Sequence, residues 1–361
     1  MRSDHLRTTP AVRHTATVRT LILPAILLAL LFAATTGRSF TALYVFGDSL
    51  SDTGRNPPSG TNASNYFNGR FCNGPLWVEY LSTNLGLPYN PSNNFAISGS
   101  TTSDLLTQIA GLPASSNLSS GLFTVVSAGN DFLQNAGLGV NNAAWSNVVS
   151  NAVLNISNAV SVLFTNGARE ILVGNLANVG QTPSFVGTPV GYSNYVDSKV
   201  AVFNTMLAST VTNVMQQHSG LRIYLENNNL AFGIILSNFP AFGFSNDSIG
   251  ALQDPNLTNK SFTGPGADYV FWDPVHPTTK VDILTAAAAW QSVAVELELA
   301  HSGANFNLMA TNLFPTLPYT IQSSTNLTTW SNYQTFTATN TNAVFVLTNV
   351  PAAKAFYRVG Y

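Results

Sequence analysis

A serine at the end of a strand-forming run is the first residue in this sequence that could do chemistry. Residues 43–46 are apolar, β-branched or aromatic, and Gly47 and Asp48 then favour a turn immediately before Ser49. Such a turn would lift Ser49 out of a sheet to face a substrate. A serine hydroxyl is a weak nucleophile unless a base activates it, so without partners the stretch also fits a strand end with a polar turn.

The partners that a nucleophilic serine needs occur together in one short segment. Asp273 and His276 lie three residues apart, with Pro274 between them and Pro277 behind, which predicts a rigid turn. The Asp273 carboxylate could then bind one imidazole nitrogen while the other nitrogen faces Ser49. In a serine hydrolase the histidine takes the serine proton and returns it to the leaving alcohol, while the aspartate fixes the tautomer. A histidine that only caps a helix or bonds a loop is the alternative interpretation.

The composition limits the classes of protein to which this chain can belong. With 361 residues, 45% of them hydrophobic, the chain can bury one large core and one small one. Only 8% of the residues are charged and the formal net charge is −2, so nothing indicates nucleic-acid binding. Abundant Asn, Ser and Thr favour an extracellular or periplasmic surface.

The cysteine and the clustered aspartates give no sign of a metal site. A single cysteine, Cys72, excludes an intrachain disulfide framework and a thiolate metal cluster, and no histidine lies near it in the sequence. Asp52, Asp104 and Asp131 lack accompanying histidines, so turn or capping roles are the better interpretation. We therefore expect neither a metal nor an organic cofactor.

The first 37 residues are typical of a signal peptide. Four arginines precede an apolar run over residues 21–34, and small residues at 33–37 suit a signal peptidase. The run is shorter than the roughly 20 residues that span a membrane, and Pro24 interrupts it. The chain is therefore expected to be a secreted bacterial protein, extracellular or periplasmic, rather than one held by an uncleaved anchor.

Strand-like and helical patterns alternate through the centre of the chain. This alternation predicts crossover units and a parallel sheet covered by helices on both faces. Ligands of such sheets bind at the carboxyl ends of the strands, where three apolar runs end at Ser49, Gly99 and Asn130. Besides residues 43–46, the apolar runs are residues 94–97, 122–127, 170–174 and 221–225, and the helical patterns cover residues 142–165 and 195–217.

The composition changes after the last helical pattern. Residues 283–299 are rich in alanine and predict a helix that closes the larger domain, residues 38–302. From about Asn305 short strand-like runs alternate with turns, which predicts a small all-β module of sandwich type over residues 303–361. A surface-binding role and a passive stabilising role both fit this module.

Four ordered blocks of this sequence resemble the signature blocks of the GDSL lipase/esterase family, also called the SGNH hydrolases. The blocks are Gly47-Asp48-Ser49-Leu50, Gly99, Asn130 and Asp273-Pro274-Val275-His276. The resemblance covers about residues 40–300 and is to the bacterial secreted branch, which includes lipolytic enzymes and haemolysin-like phospholipases. It implies a three-layer α/β/α fold with a flavodoxin-like parallel sheet.

The resemblance also implies a role for each matched residue. Ser49 would be the nucleophile, and its backbone N–H, the Gly99 N–H and the Asn130 side-chain amide would bind the oxyanion. The chain departs from the family where Ala128 replaces the usual glycine of the third block, and where Ser98 precedes Gly99 in place of a second glycine. The first departure could alter the backbone bend before Asn130.

The sequence thus predicts a secreted serine ester hydrolase that cleaves lipid, phospholipid or short-chain acyl esters through an acyl-serine intermediate. A carbohydrate acetyl esterase is one alternative, and a non-catalytic surface-binding protein that uses the hydrolase fold and the β module is another. A transient contact with a membrane surface would suit a lipid ester, and a transient contact with a polysaccharide would suit an acetylated carbohydrate. Two apolar stretches, residues 66–71 and 234–244, could each form an acyl-binding wall or part of the core.

Overall fold

The computed structural model describes residues 40–113, 118–294, 296–302, 305–311, 313, 318–325, 329, 331–340, 342–347 and 356–360. The predicted signal peptide, residues 1–37, lies outside the described residues.

A four-stranded parallel sheet forms the centre of the larger part of the chain. Its strands lie in the order β1-β2-β3-β4, each parallel to its neighbour. All side chains of β1 and β2 are buried, as expected for parallel strands that are covered on both faces. The strands are β1 (Leu43–Gly47), β2 (Leu122–Val126), β3 (Glu170–Gly174) and β4 (Arg222–Glu226).

Helices cover both faces of this sheet, which confirms the predicted three-layer α/β/α arrangement. Because side chains alternate along a strand, Val45 packs on one face and Phe46 on the other. The helices are α1 (Trp77–Asn84), α2 (Leu105–Ile109), α3 (Gly129–Leu133), α4 (Asn142–Thr165), α5 (Tyr192–Gln217), α6 (Asn228–Ser237) and α7 (Thr279–Ala294). Helices α2, α4 and α5 bury their apolar faces with Phe46, and α1 and α7 bury theirs with Val45.

Helix α4 is the one described helix that is long and apolar enough to cross a membrane by length and composition. One face of this helix lies in the protein core, where Trp145 and Ile156 are fully buried, while Leu154 is exposed. Both α4 and α5 cover the helical patterns predicted for residues 142–165 and 195–217.

The apolar run at residues 94–97 joins the sheet edge without forming a regular strand. Asn94 makes an isolated bridge to Val45, the Phe95 N–H donates to the Val45 carbonyl (2.7 Å), and the Ile97 N–H donates to the Gly47 carbonyl (3.2 Å). These bonds place the segment that leads to Gly99 beside the end of β1.

Two small antiparallel sheets follow α7. One has the order β5-β6-β9 and the other β10-β7-β8. Leu308, Ile321 and Leu347 come from both sheets and are buried in a single cluster, as in a sandwich. The strands are β5 (Glu296–Ser302), β6 (Asn305–Thr311), β7 (Pro318–Ser324), β8 (Ser331–Thr337), β9 (Ala343–Leu347) and β10 (Phe356–Gly360). The prediction of a small β module at this end is confirmed.

The helix predicted over residues 283–299 is wrong in its last turn. Helix α7 ends at Ala294, and β5 then pairs with β6 along its whole length, from Glu296 to Ser302. Cross-strand pairing outweighs the helical propensity of this stretch because β6 provides a buried partner surface. The predicted boundary after residue 302 falls between these two paired strands, so we propose that the β module begins at β5.

We expect Gly47→Ala to destabilise the fold by about 3 kcal/mol or more. Gly47 has φ +153°, and a Cβ there would lie 2.1 Å from the Val126 carbonyl oxygen, so β1 and β2 would have to separate. Denaturant unfolding measures the change. The control is Gly137→Ala, where a Cβ meets nothing within 4 Å and the shift should stay within about 0.5 kcal/mol. Equal effects of the two substitutions would contradict this account of Gly47.

Candidate active site

The loop after β1 presents Ser49 through a set of buried hydrogen bonds. The N–H groups of Ser51 and Asp52 both donate to the Asp48 carbonyl at 3.0 Å, which closes a tight turn around Ser49. The buried Asp52 carboxylate accepts from the backbone N–H groups of residues 54–56 at 2.6–2.9 Å. The turn is therefore held from both sides, and the Ser49 side chain lies on its outer surface.

The structure brings Ser49, His276 and Asp273 together in the predicted order. The Ser49 Oγ lies 2.8 Å from His276 Nε2, and His276 Nδ1 lies 2.7 Å from Asp273 Oδ2. With the carboxylate ionised, the imidazole proton belongs on Nδ1, so Nε2 can accept the serine hydroxyl proton. Ser49 and His276 are 227 residues apart in the chain.

The Asp273 carboxylate is fixed by its own turn. Its Oδ1 accepts from the N–H groups of Val275 (2.9 Å) and His276 (2.8 Å). Burial by itself raises the pKa of Asp273, but the nearby His276 and these hydrogen bonds outweigh it and hold the pKa below its usual value. Asp273 therefore stays ionised and can support a positive imidazolium.

Gly99 and Asn130 line the same cavity as Ser49 and His276. Gly99 has φ +86°, a conformation that glycine adopts without strain, and the space where a Cβ would stand is open. Asn130 Nδ2 donates one hydrogen to the Ser100 carbonyl (2.8 Å), which orients the amide while its second hydrogen can serve a ligand.

The bend before Asn130 is made although an alanine occupies the usual glycine position. Ala128 has φ +105° and ψ −13°, immediately before α3. Its methyl group is fully buried in the core. The strained backbone is thus held by packing, and the departure from the family pattern leaves Asn130 at the cavity wall.

A cavity of about 410 Å³ opens beside Ser49. Its floor and walls are largely apolar. The apolar lining includes Leu133, Leu176, Val179, Ala231, Phe232 and Phe271.

The cavity wall differs in part from the stretches suggested by the sequence. Of residues 66–71, Phe71 lines the cavity. Within residues 234–244, Ile235 and Phe244 are instead buried behind the cavity wall, in a cluster that includes Phe271, and Ala231 and Phe232, one turn earlier on α6, face the cavity.

A family model described as GDSL-like lipase/acylhydrolase matches residues 43–289. The chain belongs to this family. A GDSL esterase/lipase of Arabidopsis thaliana is 27% identical over 313 residues, covering 69% of this chain and 81% of that protein. A protein from the trpE-trpG intergenic region of Pseudomonas putida is 28% identical over 306 residues, covering 72% of this chain and 50% of that protein.

Among solved structures, an acetylxylan esterase of Geobacillus stearothermophilus is similar with a TM-score of 0.41 and 14% identity, covering 72% of this chain and 96% of that one.

Lipases and acylhydrolases cleave carboxylic esters, so this GDSL-family chain is a carboxylic ester hydrolase.

The three aspartates outside the site have structural partners in this GDSL-family chain. Asp52 accepts from the N–H groups of residues 54–56 and from Ser98. Asp104 accepts from the Thr101 N–H (2.8 Å), and Asp131 accepts from the Thr102 N–H (2.9 Å). Among the described residues no group of three or more His, Cys, Asp or Glu side chains could hold a metal ion.

Cys72 does not line the cavity. It is fully buried and donates its S–H to Asp282 Oδ2 (3.3 Å). Burial, followed by the nearby Asp282 carboxyl, raises the pKa of the Cys72 thiol well above its usual value. A neutral thiol is a poor nucleophile.

The sequence analysis named residues 66–71 as a possible acyl-binding wall but did not predict that two of them contact the Asp273–His276 pair. The Tyr66 hydroxyl donates to Asp273 Oδ2 (2.9 Å), and the Phe71 ring lies 4.9 Å from the His276 ring, centroid to centroid. Tyr66 and Asp273 are 207 residues apart, so no spacing in the sequence indicates their contact.

We expect Asp48→Asn to stabilise the fold above about pH 6, by at most about 3 kcal/mol. Burial raises the Asp48 pKa to about 6, only partly offset by the Leu50 N–H and by His276. A raised carboxyl pKa contributes stability below the unfolded value of 3.8 that is lost as the pH rises through about 6. An asparagine stays neutral and avoids this loss.

Denaturant unfolding of both proteins at low and neutral pH measures this effect. The gain in the free energy of unfolding should be present near pH 8 and absent near pH 4. If the variant is less stable than the wild type at both pH values, the ionised Asp48 carboxylate does not destabilise the fold, and this account of Asp48 is wrong.

Proposed function

We propose that this chain is a secreted carboxylic ester hydrolase that works through an acyl intermediate on Ser49. The observation that carries the proposal is the 2.8 Å hydrogen bond between Ser49 Oγ and His276 Nε2, with Asp273 behind the imidazole. This is the arrangement that turns a weak hydroxyl nucleophile into a reactive one.

In the first half of the reaction, Ser49 Oγ attacks the ester carbonyl carbon as its proton moves to His276 Nε2. The carbonyl π electrons move to oxygen, and the resulting oxyanion is bound by the N–H groups of Ser49 and Gly99 and by the Asn130 amide. The bond to the leaving alcohol then breaks. His276 returns the proton to that alcohol, and the acyl group stays on Ser49.

In the second half, water replaces the alcohol. His276 takes a proton from the water as its oxygen attacks the acyl carbon, and the same three donors bind the second oxyanion. The bond to Ser49 Oγ breaks, and His276 gives the proton back to the serine. The products are a carboxylic acid and the free enzyme, and no step uses a metal or an organic cofactor.

The substrate is proposed to be an ester of a short- to medium-length apolar acyl group. The cavity of about 410 Å³ beside Ser49 is larger than an acetyl group needs, and its apolar lining supports a hydrocarbon chain over an acetylated sugar. Lipid and simple alkyl esters both meet this description.

Secretion is proposed from residues 1–37, whose arginines and apolar run match a signal peptide. The β module beyond α7 is proposed to stabilise the larger domain. It contacts α7 through the Tyr319 hydroxyl, which donates to Gln291 Oε1 (3.3 Å).

We expect Ser49→Ala to lower turnover of a nitrophenyl ester by at least about 10³-fold, because the bond-forming oxygen is lost. The wild type should label with a fluorophosphonate, and the variant should not. Ser146→Ala, which removes an exposed serine of α4, is the control and should keep both properties. Near-normal turnover in the Ser49 variant, or labelling at another residue, would overturn the mechanism.

We expect kcat/KM to rise by up to about fourfold for each methylene added to the acyl chain, because each buried CH2 contributes about 0.8 kcal/mol. The rise should end when the cavity is full. A panel of nitrophenyl esters from acetate upward, together with an acetylated xylo-oligosaccharide, measures it. Highest activity on the acetylated sugar would instead favour the carbohydrate acetyl esterase.

The variant that tests the cavity wall is Ala231→Phe, which fills the space beside α6. It should lower activity on the longest accepted ester more than activity on the acetate. Ala201→Phe, the same substitution on the exposed face of α5, is the matched control. Equal loss on all chain lengths in the Ala231 variant would show that this wall does not hold the acyl chain.

A further inference from the structure

We propose that Tyr66 is a positioning residue for this reaction, whose hydroxyl holds the Asp273 carboxylate and thereby the His276 imidazole. The proposal deepens the proposed function and rests on it, since the same three residues carry both. Tyr66 is not among the described residues that line the cavity, and its hydroxyl reaches the reaction through Asp273.

The hydrogen bond from Tyr66 completes the set of donors around Asp273. The Tyr66 hydroxyl donates to Oδ2 at 2.9 Å, the same oxygen that lies 2.7 Å from His276 Nδ1. Backbone N–H groups occupy Oδ1. Without Tyr66, Oδ2 would have His276 as its one remaining partner in the described structure, and the side of the carboxylate that faces the imidazole would be less firmly held.

Tyr66 is itself held by the loop that carries it. The carbonyl of Asn65 accepts from the Trp272 indole N–H (2.9 Å), directly beside Asp273 in the chain. The N–H of Phe67 donates to the Cys72 carbonyl (2.8 Å). The backbone on each side of Tyr66 is therefore held by a hydrogen bond, and this fixes the position of the hydroxyl against Asp273.

The Phe71 ring links the same loop to the imidazole. Its centroid lies 5.2 Å from that of Tyr66 and 4.9 Å from that of His276. Arg70, next to it, makes two hydrogen bonds to the Glu79 carboxylate (2.7 and 2.8 Å), which ties the loop to α1. One loop thus contacts both the aspartate and the histidine.

The hydrogen bond places a neutral donor on the oxygen that faces the imidazole. Tyr66 draws negative charge from Oδ2, so Asp273 stabilises the imidazolium less than a free carboxylate would. Burial and the neighbouring Asp273 raise the pKa of Tyr66, so its hydroxyl remains a donor at alkaline pH.

Several groups face the imidazole and must be accounted for in a pH profile. Asp273 lies on its own turn, Asp48 acts from the loop after β1, and Ser49 and Phe71 lie beside the ring. Replacing Tyr66 by Phe leaves all four residues in place and removes only the hydrogen bond to Asp273. A difference between the two profiles therefore reports the hydroxyl of Tyr66.

The test is Tyr66→Phe in the full chain, which removes one oxygen and keeps the ring. We expect kcat to fall roughly tenfold with KM unchanged, because the base is less well oriented and the cavity is intact. The acidic limb of the kcat/KM profile should move to higher pH by roughly half a unit. The His276 Nδ1 proton resonance should shift, because the carboxylate oxygen that binds this proton loses its other side-chain donor.

The matched control is Tyr80→Phe, which removes a half-buried hydroxyl that bonds Thr279 Oγ1 (3.0 Å) away from the cavity. It should leave the pH profile and the resonance unchanged, whatever its effect on stability. A Tyr66 variant that loses stability without moving the profile or the resonance has a structural role only, and this would overturn the proposal. So would a variant identical to the wild type.

The experiments separate the mechanism at Ser49 from the role of Tyr66. If the wild type hydrolyses no ester, the mechanism at Ser49 falls, and the His276 proton resonance still decides whether Tyr66 acts on Asp273. If Ser49→Ala abolishes turnover and Tyr66→Phe changes neither profile nor resonance, the mechanism stands and the role of Tyr66 falls.

Discussion

The buried Asp52 carboxylate holds together the two loops on which the site depends. Its two oxygens accept from the N–H groups of residues 54–56 in the loop that follows Ser49. They also accept from the N–H (2.7 Å) and the hydroxyl (2.9 Å) of Ser98, which precedes Gly99. A carboxylate with this many donors can be buried without leaving an unpaired charge. The bonds fix the loop of Ser49 against the segment of Gly99, so nucleophile and oxyanion donor have a constant separation.

A second buried carboxylate, Asp273, organises the opposite side of the cavity. Its carboxylate accepts hydrogen bonds from two backbone N–H groups of its own turn, from the His276 ring three residues ahead and from the Tyr66 hydroxyl in a distant loop. Each donor removes a rotation that the side chain could make, so the imidazole reaches Ser49 without being ordered by the substrate. The two carboxylates play different parts, because one orders backbone and the other supports a charge that appears during the reaction.

The sequence predicts the architecture where patterns are local. Buried parallel strands read as continuous apolar runs, and α4 follows its 3.6-residue repeat over the whole predicted range. The last turn of the helix predicted up to residue 299 fails for an identifiable reason. Glu296-Leu297-Glu298-Leu299 alternates polar and apolar residues with a period of two, which is a strand pattern that the alanine-rich stretch before it conceals.

By itself the sequence determined which groups could react: a serine after a strand, and an aspartate and histidine three residues apart on a proline-bounded turn. Only the tertiary structure decided that Tyr66 meets Asp273, that Ala231 rather than residues 234–244 faces the cavity, and that Ala128 makes the bend of a glycine. The physical reason is distance along the chain. Local propensity reaches a few residues, whereas these contacts and the strained backbone exist because packed elements hold them.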